Sequence, residues 1–204
     1  YNMAQYITIA TDALRVLGWP VHNNEFNKFE IIQELCDALI ENLERAGLPT
    51  ITLNAHKLGE SWKNPVFCVS HRDLSVGNIM CHDARIRFID PRLSVPYLPA
   101  QGNAIGTPLI DPLMLLISLE RKQAEIESMY PRLLFLGLHD LRKRVSELKA
   151  DVPAFLVHLI TAVTYAMYAA CKCDYCLAPE RVDLYNLMVK KTKRSVALLQ
   201  EASP

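Results

Sequence analysis

Asp73, Asn78 and Asp90 are the residues whose types and spacing best suit a chemical reaction. They lie in VSHRDLSVGNIM, residues 69–80, and in FIDPR, residues 88–92. His71, Arg72, Asp73, Leu74 and Asn78 together read H-R-D-L-x-x-x-N, and Asp90 ends an apolar run from Ile86 broken only by Arg87. Phosphoryl transfer needs a carboxylate to orient the attacking hydroxyl, and an amide plus a second carboxylate to hold Mg²⁺ on a triphosphate. Asp73 suits the first task. Asn78 and Asp90 suit the second, since both offer the oxygen ligands that a hard cation prefers. Singly, Asp73 reads equally as a turn cap, Asn78 as a left-handed turn residue, and Asp90 as a solvated strand end. Their joint identity, spacing and flanking strands carry the chemical reading. His71 suits a scaffold role better than that of a base.

Three short apolar runs rich in β-forming residues frame this loop: PVFCVS at 65–70, NIMC at 78–81 and RIRFI at 85–89, the last two separated by the turn-like His82-Asp83. The flanks have helical periodicity. A helix is expected over 2–17, stopped by Gly18 and Pro20. A stronger one is expected over 26–46, with Phe29, Ile31, Ile32, Leu35, Ala38, Leu39 and Leu43 as its apolar stripe and Gly47 as its stop. Residues 53–60 are ambiguous, a short helix being one reading. After a Pro- and Gly-containing stretch at 91–108, helices are expected near 110–120, 122–130, 132–149, 153–172 and 180–201, with Pro131, Pro153 and Pro179 at starts or breaks. The expected fold is mainly α with a small β insert that carries the polar residues.

At 204 residues the chain can build one sizeable core, and 50% apolar with 22% charged residues fits a globular protein. Lys plus Arg equal Asp plus Glu at 22 each, so the basic excess of a nucleic-acid binder is missing and no such partner is expected. Residues 1–19 do not resemble a secretory signal, so the six cysteines are expected to be reduced thiols in a cytoplasmic protein. The chain opens on Tyr rather than Met, which suggests that Tyr1 is internal to a longer protein. Residues 155–171 are apolar apart from His158, Thr161 and Thr164, at the lower limit for crossing a bilayer. Asp151, Pro153 and Lys172 read as helix-end signals, so a buried core helix and no membrane contact are expected.

The segment from His71 to Asp90 resembles the catalytic core of the protein-kinase-like superfamily. It is closer to its small-molecule branch of aminoglycoside and choline phosphotransferases, whose loop usually reads H-x-D-x-x-x-x-N with the second acid in an I-D-x context. Here these are His71-Arg72-Asp73 to Asn78 and Ile89-Asp90-Pro91. The resemblance implies a two-lobed α/β fold with ATP between the lobes, Mg²⁺ as cofactor, and transfer of the γ-phosphate to a hydroxyl. It assigns the nucleophile-orienting role to Asp73 and the metal and cofactor-binding roles to Asn78 and Asp90. In GTPLIDPLMLL, Asp111 resembles the Asp that braces the catalytic loop from the start of an apolar helix, although Pro112 also suits Asp111 as a plain N-cap. His71, Arg72 and Asp111 are thus expected to support the loop.

The departures are informative. Arg72 replaces the Gly usual in the antibiotic-kinase branch and is read as a local ion-pair partner. Asp90 is followed by Pro91-Arg92 rather than Phe-Gly, Arg92 reads as a surface charge, and no A-P-E follows. Only twenty residues separate Asp90 from Asp111, which leaves little space for a peptide-binding platform and disfavours a protein substrate. Nothing upstream of residue 65 resembles a Gly-rich phosphate loop or a strand Lys with its helix Glu.

The whole chain, 1–204, is therefore expected to be a single helical C-terminal lobe, with a catalytic segment at 65–111 and a helical substrate region at 112–204. The nucleotide lobe would be missing from this chain, which is expected to be either a piece of a longer kinase that supplies that lobe or a reduced relative that lacks it. The expected activity is ATP-dependent transfer of phosphate to a hydroxyl of a sugar, amino sugar or amino alcohol. Two readings compete: a kinase-derived binding or scaffold module without catalysis, and a metal-dependent hydrolase using Asp73 and Asp90. Cys171, Cys173 and Cys176 form a C-x-C-x-x-C run that lacks a fourth zinc ligand and reads as buried thiols. His22, His56, His82, His139 and His158 have no ligand spacing, and Lys190, Lys191, Lys193 and Arg194 read as a solvated helix face.

Overall fold

The computed structural model describes residues 27–82, 85–90, 105–126, 135–171 and 182–204. The helix expected over 2–17, the segment 91–104 with Arg92, Pro131, Pro179 and the thiols Cys173 and Cys176 lie outside the described residues. The fold is mainly helical with a small β component. The described residues fall into two compact units, one of 27–65, 152–171 and 182–204, the other of 66–82, 85–90, 105–126 and 135–151.

The first unit is helical. Helix α1, Lys28–Arg45, starts where the Asn27 side chain accepts from the Phe29 amide at 2.9 Å. It buries the expected stripe, apart from half-buried Phe29, which stacks on the His56 ring at 4.9 Å between centroids. Its end is a Schellman motif: Leu48 N donates to Leu43 O and Gly47 N to Glu44 O, both at 2.9 Å, with Gly47 at φ 65°. The ambiguous segment forms helix α2, Ala55–Ser61, capped by Asn54, which accepts from Lys57 N at 3.0 Å.

Helix α5, Ala154–Ala170, buries 12 of its 17 residues, so it is a core helix, and it packs on both α1 and α6, Val182–Ala202. Burying each of its large aliphatic side chains contributes about 2 kcal/mol. Two of its hydroxyls bond within the helix itself: Thr161 and Thr164 donate to the carbonyls of Val157 and Ile160 one turn back. Helix α6 buries Met188, Thr192, Ser195 and Leu199 and leaves Lys190, Lys191, Lys193 and Arg194 exposed, as a solvated face requires. Among the described residues no helix is long and apolar enough to cross a membrane.

The second unit holds two antiparallel strand pairs. Strand β1, Cys68–Val69, pairs with β4, Ile105–Gly106, and β2, Ile79–His82, pairs with β3, Arg85–Phe88. Strand β4 falls in the stretch expected to be irregular, and at two residues it is too short for an alternating pattern to show. Helix α3, Ile110–Ile126, is continuous where a break near 121 was expected, because Arg121-Lys122-Gln123 are good helix formers with no Gly or Pro among them. Every residue from Leu109 to Leu119 is buried. Helix α4, Phe135–Ala150, packs on α3, burying Leu141, Val145 and Leu148.

Candidate active site

The candidate site is built in the second unit around one carboxylate. Asp111, on the first turn of α3, is 4% exposed and turns its side chain toward the segment after β1. Its Oδ2 accepts from the His71 amide at 2.8 Å, and its Oδ1 accepts from the Arg72 amide at 2.9 Å and the Ser70 hydroxyl at 3.0 Å. Burial pushes the Asp111 carboxyl above the ordinary carboxylate range. The two amide bonds and the Ser70 hydroxyl oppose that rise. The carboxylate thus fixes two consecutive peptide groups on the loop. Pro112 lacks an N–H at a place in the first turn where no helical acceptor exists, so it leaves no donor unsatisfied.

Arg72 is 2% exposed and has φ 62°, the left-handed region. That conformation costs a non-glycine residue about 1–2 kcal/mol, and it occurs directly after the two amides that Asp111 holds. His71 is equally buried. Its Nε2 lies 2.9 Å from the Ile89 carbonyl, an acceptor, which assigns the ring proton to Nε2. Its ring meets Phe88 edge-on at 6.1 Å.

Asp73 follows, half-buried, and its carbonyl accepts from Asn78 Nδ2 at 2.7 Å. Asn78 ends the 3₁₀ turn Val76–Asn78 and accepts the Ile89 amide at 3.0 Å on its backbone oxygen. Both backbone groups of Ile89 are therefore tied to the loop, one to His71 and one to Asn78. The next residue, Asp90, is exposed and has φ 54°.

The fold thus links His71, Arg72 and Asp111 directly, links Asn78 to Asp73 through a carbonyl, and sets Asp90 one residue beyond the shared anchor Ile89. Ser70 and Gly106 were missed by the sequence reading. Ser70 sits beside the motif as a bare hydroxyl, and Gly106 opens the G-T-P-L-I-D stretch, a weak signal in each case. Cys68 lies behind the site. Burial, with help from the Asp111 charge, pushes its thiol up to about 12, so it stays protonated at neutral pH.

Among the described residues, no group of three or more His, Cys, Asp or Glu side chains could hold a metal ion. A Mg²⁺ ion held on a nucleotide asks for less: one or two protein oxygens, with phosphates and water completing the shell. The donor set fits that requirement, because bonding through Nδ2 leaves the Asn78 Oδ1 oxygen to face a cation and Asp90 offers an exposed carboxylate. Among the described residues, Cys36, Cys68 and Cys171 form no disulfide. No family model, curated protein or solved structure matches the chain.

Proposed function

We propose that the chain is the helical lobe of a protein-kinase-like small-molecule phosphotransferase, moving the γ-phosphate of ATP to a hydroxyl of a sugar, amino sugar or amino alcohol. Asp73 accepts a hydrogen bond from the acceptor hydroxyl, aligns it with the phosphorus, and takes its proton late in transfer. Asn78 Oδ1 and the Asp90 carboxylate hold Mg²⁺, which when bound neutralises charge on the phosphate oxygens. His71 and Asp111 keep the loop in place. What carries the reading is the double grip of Asp111 on the His71 and Arg72 amides, which holds a left-handed turn immediately before Asp73. A bend of that kind persists only where its surroundings enforce it, and such bends cluster at functional sites.

In the complete two-lobed enzyme, Asp73→Asn is expected to lower phosphate transfer from γ-labelled ATP to a panel of amino alcohols, sugars and amino sugars by about 10²–10⁴-fold. Far-ultraviolet circular dichroism should be unchanged. Retention of most activity would remove Asp73 from its role. Calorimetric titration with Mg·ATP, with and without Asp90→Ala, tests the metal assignment. Binding that survives the substitution intact would rule Asp90 out as a ligand.

A further inference from the structure

The three bonds to Asp111 are not alike in what maintains them. Those from the His71 and Arg72 amides depend on the backbone, while the third depends on the Ser70 hydroxyl, which must fit between β1 and β4. In the β1–β4 ladder Cys68 faces Gly106, which brings Gly106 beside Ser70. A methyl on Gly106 would stand 2.9 Å from Ser70 Cβ, 3.0 Å from Ser70 Oγ and 3.0 Å from Ile110 Cδ1. All three are tighter than ordinary van der Waals contact. Gly106 is itself buried and has no left-handed φ, so conformational freedom does not explain a glycine there.

We propose that Ser70 and Gly106 are a positioning pair: the absent side chain at 106 lets the Ser70 hydroxyl set the rotation of the Asp111 carboxylate, so that its two oxygens meet the His71 and Arg72 amides. Asp111 Oδ1 shares the Ser70 hydroxyl and the Arg72 amide, so moving the hydroxyl rotates the oxygen that holds the turn before Asp73. The consequence for turnover rests on the phosphotransfer reading; the effect on the loop does not.

The test is amide hydrogen exchange by NMR on the full chain, with the amides of 115–119 in α3 as internal reference. Ser70→Ala is expected to speed exchange at His71 and Arg72 by about tenfold relative to that reference, the loss of one hydrogen bond. Gly106→Ala is expected to do at least as much, and to add less than about threefold in a Ser70→Gly background, where its methyl has room. Unchanged exchange in Ser70→Ala overturns the proposal even if Gly106→Ala fails to fold. An equal effect of Gly106→Ala in both backgrounds also overturns it, because the methyl would then act through Ile110. Where wild type transfers phosphate, Ser70→Ala should lower kcat about tenfold per folded molecule at unchanged KM for Mg·ATP; an unchanged kcat overturns the link to catalysis. If the protein carrying both lobes transfers none, the phosphotransfer reading fails while the exchange result on this chain still decides the positioning pair.

Discussion

Both units of the molecule turn the chain through the left-handed region, but with different residues. In the helical unit the turn falls on Gly47, where a Cβ would meet nothing within 4 Å and the conformation is free of strain. In the unit with the polar loop it falls on Arg72 and Asp90, which pay for it in conformational energy. The helical unit needs only to stop a helix. In the other unit the turns carry side chains, and Asp111 and the Ile89 backbone hold the strained geometry through hydrogen bonds spanning 11 to 41 residues of sequence. One unit is stabilised by apolar burial, and the other directs part of its polar pairing to posing two acids.

The contrast can be tested from its strongest point downward. Leu159→Ala, at a fully buried position of α5, should cost about 3 kcal/mol, read as a lowered urea midpoint. Asp111→Asn should cost less, about 1–3 kcal/mol, because one oxygen remains but an NH₂ group is set against a buried amide donor. It should also change the pH profile. With its carboxyl raised, native Asp111 binds a proton that the unfolded chain has already released. Its contribution to stability therefore falls as pH rises from the ordinary carboxylate pKa through the raised value. Urea midpoints measured across that interval should fall in wild type and fall less in Asp111→Asn; parallel profiles would show that Asp111 is not the group responsible.

Gly47→Ala should cost about 1 kcal/mol, a purely conformational effect with no clash behind it, measured by thermal unfolding. Smallest is a point at which the units behave alike. Burial pushes Cys36 in α1 and Cys68 in β1 up to about 12, so neither should be alkylated by iodoacetamide at pH 8 until the protein unfolds. Half-exposed Cys171 should react before either of them in peptide-resolved mass spectrometry.

The helical unit was readable because its signals repeat. The stripe of α1 and its stop at Gly47 appear within 3.6-residue periodicity and one glycine, and the apolar run of α5 has its limits marked by Pro153. The polar loop was readable as a motif and as flanking strands, since His71, Asp73, Asn78 and Asp90 have spacing of their own. Its support was less legible. Asp111 could be singled out, but its partners lie some 40 residues away and two are backbone amides, which have no residue type to betray them. The hydroxyl of Ser70 and the missing side chain of Gly106 become meaningful only when β4 lies beside β1, and that two-residue strand leaves no pattern. Asn54 was a visible cap signal for α2 that the ambiguous segment around it obscured.

Asp111 stands on the first turn of a helix buried without interruption from Leu109 to Leu119. The loop is therefore registered against a continuously buried helix rather than against the surface of its unit. A substitution that shifts α3 along its axis, however far from Asp73 in sequence, should misalign the loop. Surface changes on the exposed faces of α4 should leave it untouched. For directed evolution this divides the helices of the unit sharply: the solvent-facing positions of α4 can be randomised freely, while the packing of α3 must be inherited whole.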